Sequence, residues 1–507
     1  MQRYVEVMDT TLRDGEQTNS VSFSVSEKLT IAQLLLQEVK VDRIEVASAR
    51  VSDGELQSVQ GITRWAEAHQ MLEKVEVLTF VDGGVSIEWM KKAGAKVMNL
   101  LTKGSLNHLK HQLRKTPEQH FEDIAREFER AEANDLIVNV YLEDWSNGMR
   151  NSPEYVFQFL DFLTSKTSVR RILLPDTLGI LTPKETTNFI RQTLDRYPKH
   201  HFEFHAHNDY DLGTANVLAA VMEGVHGIHL TVNGMGERAG NAPLASAIAV
   251  IKDFVKDVET SVVEESLYTV SKIVETFSGL RIPENKPIVG ENVFTQTAGI
   301  HADGDKKNNL YFSELMPERF GRKRVYALGK TSGKANIENN LRDLGIYLAD
   351  EDLKKVTAHI IALGDKKEVV TKEDLPFIIS DVLDSNAIAN TVQIVNYVLT
   401  HAANLNPSAT VKIAFGEEIF EENAQGDGQY DAFMKALGKI FDKKKIKLPR
   451  LVDYFVRIPP GGDTDALCET IITWNYNKKE FKTRGLDSDQ TVSAIKATQK
   501  VLNIIIE

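Results

Sequence analysis

His205-Ala206-His207-Asn208-Asp209 closes a short apolar run at residues 202–204. Side chains on an extended chain alternate between two faces, so histidines one residue apart point the same way and can reach one cation. Such a pair standing alone is more often two surface histidines at a strand end. Here it has company. Met8-Asp9-Thr10-Thr11-Leu12-Arg13-Asp14-Gly15-Glu16-Gln17 places an arginine and an acid just past an apolar run at 4–8. Asn233-Gly234-Met235-Gly236-Glu237-Arg238-Ala239-Gly240-Asn241 follows a third run at 228–232. Three polar clusters, each at a strand exit, point to one metal site at one end of a parallel barrel.

Working outward, strand-like runs recur at 4–8, 43–46, 75–81, 96–101, 137–142, 171–174, 202–204 and 228–232. Helical apolar patterns lie between them at 26–39, 116–133, 154–163, 184–194 and 215–223. Alternating strand–helix units over roughly 250 residues predict a (β/α)8 TIM barrel of the α/β class, spanning 1–275. A doubly wound open sheet competes, but polar residues recur after several well-separated strands, and a barrel gathers those at one face. Pro283, Pro287, Gly290, Gly299 and Gly304 then break the periodicity, which marks 276–330 as a linker or crossover subdomain. Helical patterning returns over 331–386, with Leu353, Val356, His359 and Ile360 at helical spacing. Residues 387–507 carry strand-like runs at 391–399, 408–415, 452–458 and 466–474, with helices at 430–441 and 490–504. They read as a separate C-terminal domain of βαβ type.

The composition sets bounds on function. With 507 residues, 42% hydrophobic and 26% charged, the chain exceeds one core and has the balance of a soluble protein. A formal net charge of −12 argues against nucleic acid as a partner. The one cysteine, Cys468, excludes an internal disulfide and fits a reducing compartment. No apolar stretch approaches the ~20 residues that cross a membrane. The N-terminus runs straight into a strand, so the expected location is cytoplasmic.

Asp14, His205 and His207 offer one carboxylate and two imidazoles, a set suited to a divalent metal ion (zinc, manganese or magnesium) with positions left open for substrate. Asn241 reads equally well as a carbonyl ligand or as a turn residue after Gly240. Arg13 stays charged at any working pH and can stabilise a developing alkoxide, or it forms a rim salt bridge with Glu45 or Glu143. Thr177 would stand at another strand exit with its hydroxyl facing the same centre, a candidate substrate contact, although a threonine there is more often a helix cap than a ligand-binding group.

Leu12-Arg13-Asp14-Gly15-Glu16-Gln17, with Lys28 after ten further residues, resembles the first signature of the acyl-CoA-condensing α-keto-acid synthases, the isopropylmalate, homocitrate and citramalate synthases. His205-Ala206-His207-Asn208-Asp209 resembles their second signature, and Gly234-Met235-Gly236-Glu237-Arg238-Ala239-Gly240-Asn241 their glycine-rich loop. The family has glycine where Asp211 stands, from which a different loop path with unchanged ligands is expected. The resemblance spans essentially the whole chain. It implies that a small 2-keto acid chelates the metal, that acetyl-CoA loses a methyl proton, and that the enolate attacks the keto carbon. It places the base region at Gly299-Ile300-His301-Ala302-Asp303, with Tyr311 nearby and Glu143 as the partner that orients the base. That segment would cross into the neighbouring subunit of a homodimer.

Leu78, Leu101 and Tyr141 resemble the bulky set of the citramalate synthases, which shrinks the pocket to admit pyruvate. A 2-oxoisovalerate pocket is the alternative, and the leucines are otherwise barrel core. Gly426, Asp427, Gly428, Tyr430, Asp431 and Ala432 resemble the turn that binds the family's end-product amino acid, isoleucine or leucine. Glycines and a following helix N-terminus suit a carboxylate there.

Overall fold

Apolar residues recur through eight short segments of the N-terminal half, and each forms a strand buried on both faces. They are β1 (Glu6–Asp9), β2 (Arg43–Ser48), β3 (Val75–Phe80), β4 (Val97–Lys103), β5 (Ile137–Glu143), β6 (Ile172–Asp176), β7 (Phe202–Ala206) and β8 (Gly227–Leu230). All neighbours pair parallel, and β8 returns to β1, closing the barrel. In this computed structural model the described residues are 2–296, 310, 313–344, 346–365, 370–383, 392–457, 468–477 and 479–506. They fall into two compact units: Met1–Phe294 with Ser313–Arg324, and Thr295–Phe312 with Val325–Glu507.

The connecting helices start where the sequence supplies caps. Ser24, Thr116 and Thr182 each close a capping box with the Glu or Gln three residues on, and Pro117 and Pro183 take the first helical turn. Among the described residues no helix is long and apolar enough to cross a membrane.

In the second unit, helices Lys334–Asp343, Asp350–Asp365 and Leu375–Leu383 share a core built on Ile337, Leu341, Leu353, Val356 and Ile360. His359, grouped above with that stripe, is exposed, because it lies about 60° beyond Val356 on the helical wheel.

The C-terminal domain is α/β, but its pairing is antiparallel where a βαβ unit would be parallel. Strands β9 (Val392–Thr400), β10 (Ser408–Phe415) and β11 (Glu418–Gln425) form a meander followed by helix Gln429–Lys443. Strands β12 (Arg450–Arg457), β13 (Cys468–Tyr476) and β14 (Lys479–Asp487) repeat the arrangement, followed by helix Gln490–Ile505. β11 and β14, absent from the sequence reading, convert each expected crossover into a hairpin. Ile495 and Leu502 of the last helix pack into the core of the first meander, so the two halves are knit together.

Candidate active site

The C-terminal ends of β1 and β7 bring the first two signatures together. Asp14 sits in a tight turn after β1, its amide donating to the Thr10 carbonyl at 2.8 Å. His205 lies within β7 and His207 just past it, two residues apart on one face. His205 Nε2 is 3.2 Å and His207 Nε2 3.9 Å from Asp14 Oδ2. One potential ligand atom from each of the three residues lies within 4.8 Å of the others, and all three are buried. Asn241 joins them, its backbone bridged to His207 and its Nδ2 donating to the Met235 carbonyl at 3.0 Å. Its Oδ1 is buried without a hydrogen-bond partner, as are Asp14 Oδ2, His205 Nδ1 and His207 Nδ1.

Orphaned buried polar atoms cost free energy unless something pairs with them. Oxygen and imidazole donors left without hydrogen bonds, on residues whose ligand atoms lie within 4.8 Å of one another, fit a divalent cation.

The charges suit that task. Burial pushes the Asp14 carboxyl up, but the Arg13 guanidinium and both histidines outweigh it and hold it well below the usual carboxylate range. Burial, and then the neighbouring His205, brings His207 down to about 4, so its imidazole is neutral. Arg13 ion-pairs with Glu45 at 2.5 Å, which settles the choice between Glu45 and Glu143. Its Nη1 still lies 3.7 Å from Asp14 Oδ1, and its guanidinium carbon stands 5.8 Å from the centre of the Tyr141 ring.

The three signatures hold one another in place. Thr11 Oγ1 accepts from the Val232 amide and Thr18 Oγ1 from the Gly236 amide, both at 2.8 Å. Arg238 reaches Asp209 at 2.8 and 3.0 Å, tying the glycine-rich loop to the histidine motif. Gly240 has φ +86°, and a Cβ there would lie 1.9 Å from the Gly234 carbonyl oxygen, so the loop closes only with glycine. Lys28 is fully buried and fastens the first signature from below, pairing with Glu16 and Glu55 and donating to the Leu12 and Val46 carbonyls.

Asp211 takes φ +59°, the conformation glycine would adopt, with its carboxylate accepting from Asn208 Nδ2 at 3.1 Å. Aspartate tolerates that left-handed region, so the loop accommodates the side chain there.

Beside this centre, Met8, Leu78, Tyr141 and Leu173 form a separate apolar cluster inside the barrel, with Leu101 packed against it. The Tyr141 and His205 rings are 6.2 Å apart, which places the cluster against the candidate ligands. Leu78 stands mid-strand, in Val75–Phe80. Thr177 Oγ1 accepts from the Asp144 amide at 2.9 Å, a turn-fastening role. Glu143 ends β5, partly exposed, paired with Lys103 and 3.9 Å from His108. His301 and Tyr311 lie outside the described residues.

In the C-terminal domain, Gly428 precedes the helix Gln429–Lys443 in an extended conformation, φ −147°. Gly426 packs so tightly that a Cβ would lie 2.4 Å from the Ala432 amide nitrogen. The Asp427 amide donates to Asp431 Oδ2 at 2.9 Å, so the turn already pairs one amide with a carboxylate of its own. The Tyr430 hydroxyl meets Thr498 at 2.7 Å, between the two helices.

The reading from sequence missed His229 and Glu203, which lie buried in the barrel. Glu203, His205 and His207 occupy i, i+2 and i+4, so their shared inward face was a usable signal.

A parallel eight-stranded barrel with a buried Asp–His–His cluster at its C-terminal face is an enzyme scaffold with a candidate metal centre. The HMGL-like family matches residues 4–274, the homocitrate synthase post-HMGL domain-like family residues 288–368, and the LeuA allosteric (dimerisation) domain residues 369–506. The chain belongs to the HMGL-like family of acyl-CoA-condensing α-keto-acid synthases that carry a LeuA allosteric domain. It is 32% identical to (R)-citramalate synthase of Methanocaldococcus jannaschii over 99% of both chains. It is also 32% identical to 2-isopropylmalate synthase of the same organism, over 99% of this chain and 95% of that one. A 2-isopropylmalate synthase of Heliobacterium modesticaldum matches at 31% over 100% and 98%.

Proposed function

We propose that the chain condenses acetyl-CoA with pyruvate, giving citramalate and free CoA. The observation that carries this reading is the wall of Met8, Leu78, Tyr141 and Leu173, with Leu101, beside the candidate ligands. It holds no cation for a distal carboxylate, which argues against 2-oxoglutarate. Its bulk suits the methyl of pyruvate better than the isopropyl of 2-oxoisovalerate, and one methylene typically shifts such discrimination by about 1–3 kcal/mol. The second reading, 2-isopropylmalate synthesis, is supported by sequence identity equal to that of the citramalate relative.

Asp14, His205, His207 and Asn241 would hold the divalent ion, with zinc, manganese and magnesium as the choices. When bound, such an ion supplies Lewis acidity to a keto carbonyl. Arg13, fixed by Glu45, presents a permanent positive charge where the carbonyl oxygen gains negative charge as the new C–C bond forms. The acetyl methyl proton leaves to a base in the region of His301 and Tyr311, with Glu143 orienting it. Water then cleaves the thioester, releasing the thiol of CoA and a carboxylate. Thr177 braces the adjoining loop.

In the same reading the barrel spans 1–275, the linker 276–330, the helical subdomain 331–386 and the regulatory domain 387–507. The linker exchanges between subunits of a homodimer in the cytoplasm, and isoleucine or leucine binds near Gly426, Asp427, Gly428, Tyr430, Asp431 and Ala432. Thiol release from acetyl-CoA, followed with a thiol-reactive dye across a panel of keto acids, tests the proposal. Highest kcat/KM with pyruvate is expected. Highest kcat/KM with 2-oxoisovalerate would transfer the assignment to the second reading.

A further inference from the structure

The barrel interior beneath the candidate metal centre is polar, and one line of hydrogen bonds runs from it into the pocket wall. Tyr141 Oη lies 3.0 Å from His229 Nδ1. His229 Nε2 lies 2.8 Å from Glu203 Oε2. The other Glu203 oxygen meets Arg43 at 2.5 Å, Arg171 at 3.1 Å and His201 at 2.8 Å. Tyr141, His229 and Glu203 are all buried.

These contacts fix the direction of every proton in the line. Glu203 faces two guanidinium groups, so it is a carboxylate and can only accept. His229 must therefore carry its proton on Nε2, donating to Glu203. Its Nδ1 is then a bare lone pair, and the only proton available to fill that contact is the Tyr141 hydroxyl's. Tyr141 therefore donates to His229. With its hydroxyl tethered, its ring has one orientation. That ring stands edge-on to both His205 and His229, with Arg13 near its face.

We infer that His229, held by Glu203, is a positioning residue for keto-acid selectivity, because it pins the Tyr141 ring as a fixed wall of the substrate pocket. This rests on the proposed condensation at the same site and adds the element that sets its size limit. A wall of packed apolar side chains alone can yield by rotamer change. A tyrosine tethered through a histidine to a buried ion-paired carboxylate cannot swing aside without leaving Nδ1 and the hydroxyl unpaired, at a cost that opposes larger substrates.

The test is a cycle on the full-length protein, reading the ratio of kcat/KM for pyruvate to that for 2-oxobutyrate, which is one methylene longer. His229→Met keeps the bulk and removes both hydrogen bonds. It is expected to lower the ratio about tenfold, the scale of one methylene in a closed pocket. His229→Gln can accept from Tyr141 through Oε1 and donate to Glu203 through its amide, and is expected to keep the ratio within about twofold of the parent. In a Tyr141→Phe background, His229→Met is expected to add no further change, since its action passes through the lost hydroxyl. Equal loss of activity on both keto acids with an unchanged ratio would overturn the inference, as would an undiminished effect of His229→Met in the Tyr141→Phe background. If His229→Met does not fold, His229→Asn, too short to reach Tyr141 while bound to Glu203, is expected to lower the ratio likewise and serves in its place. A parent enzyme that prefers 2-oxoisovalerate would defeat the pyruvate assignment alone. The cycle would then be read on that acid and its next longer homologue.

Discussion

At Arg13, a guanidinium stands between Glu45 and Asp14, and its planar fork lets it hold one carboxylate while facing a second group. A lysine keeps the charge but loses the fork. Arg13→Lys is expected to lower kcat by about 100-fold, the usual cost of one transition-state donor, with little change in the KM for pyruvate. Steady-state kinetics decide this, and an unchanged kcat would remove Arg13 from the reaction. His207 is the complementary case. Its Nδ1 is buried without a partner, so His207→Ala should leave the barrel folded while removing a ligand. Circular dichroism is expected to be unchanged, and both turnover and equilibrium metal content to fall to background. Near-normal metal content in that variant would refute the ligand assignment. These residues were readable because hard ligands beside an arginine cluster at strand exits. His229 was hidden because it interrupts an otherwise apolar strand, where a lone polar residue carries no periodic signal.

Single elements show why the sequence was informative in some places and silent in others. The barrel strands are buried on both faces and carry apolar runs, broken by buried polar residues such as Arg43, Glu76 and Asn99. β11 and β14 instead present Glu-Ile-Phe-Glu-Glu-Asn-Ala-Gln and Lys-Glu-Phe-Lys-Thr-Arg-Gly-Leu-Asp, edge strands most of whose charged positions face solvent. Such charges protect a sheet edge from foreign pairing, and they also erase the hydrophobic signature of a strand. On β4, Leu101 packs against the pocket cluster. Leu101→Ala is expected to raise kcat/KM for 2-oxoisovalerate relative to pyruvate by about tenfold or more, since it removes several methylene equivalents. No change would leave Leu101 as plain core.

The helix Pro117–Glu132 supplies a pH test away from the metal centre. His120 Nε2 accepts from the Lys103 amide at 3.2 Å, and burial brings the imidazole down to about 4. Between about 6.5 and that value the unfolded chain binds a proton that the folded one refuses, so stability is retained above pH 6.5 and lost as pH falls. His120→Gln, still an acceptor for Lys103, is expected to lessen the loss between pH 7 and 5 by about 2 kcal/mol in chemical unfolding.

On the scale of the whole molecule, a barrel with a candidate metal centre is joined to a domain containing two meander–helix repeats. The extra strands and the tight turn at Gly426 give that domain a framework without a second catalytic cluster among the described residues. If it is regulatory, calorimetric titration of the full-length protein with isoleucine and leucine should show saturable binding of one of them, accompanied by inhibition of thiol release. Heat from neither amino acid would end the regulatory assignment.

The central claim is that the apolar cluster beside Asp14, His205 and His207 selects pyruvate. Internal competition reads that directly: acetyl-CoA is supplied with equimolar pyruvate and 2-oxoisovalerate, and the products are weighed by mass spectrometry. The account predicts citramalate in large excess over 2-isopropylmalate, and an excess of 2-isopropylmalate would contradict it.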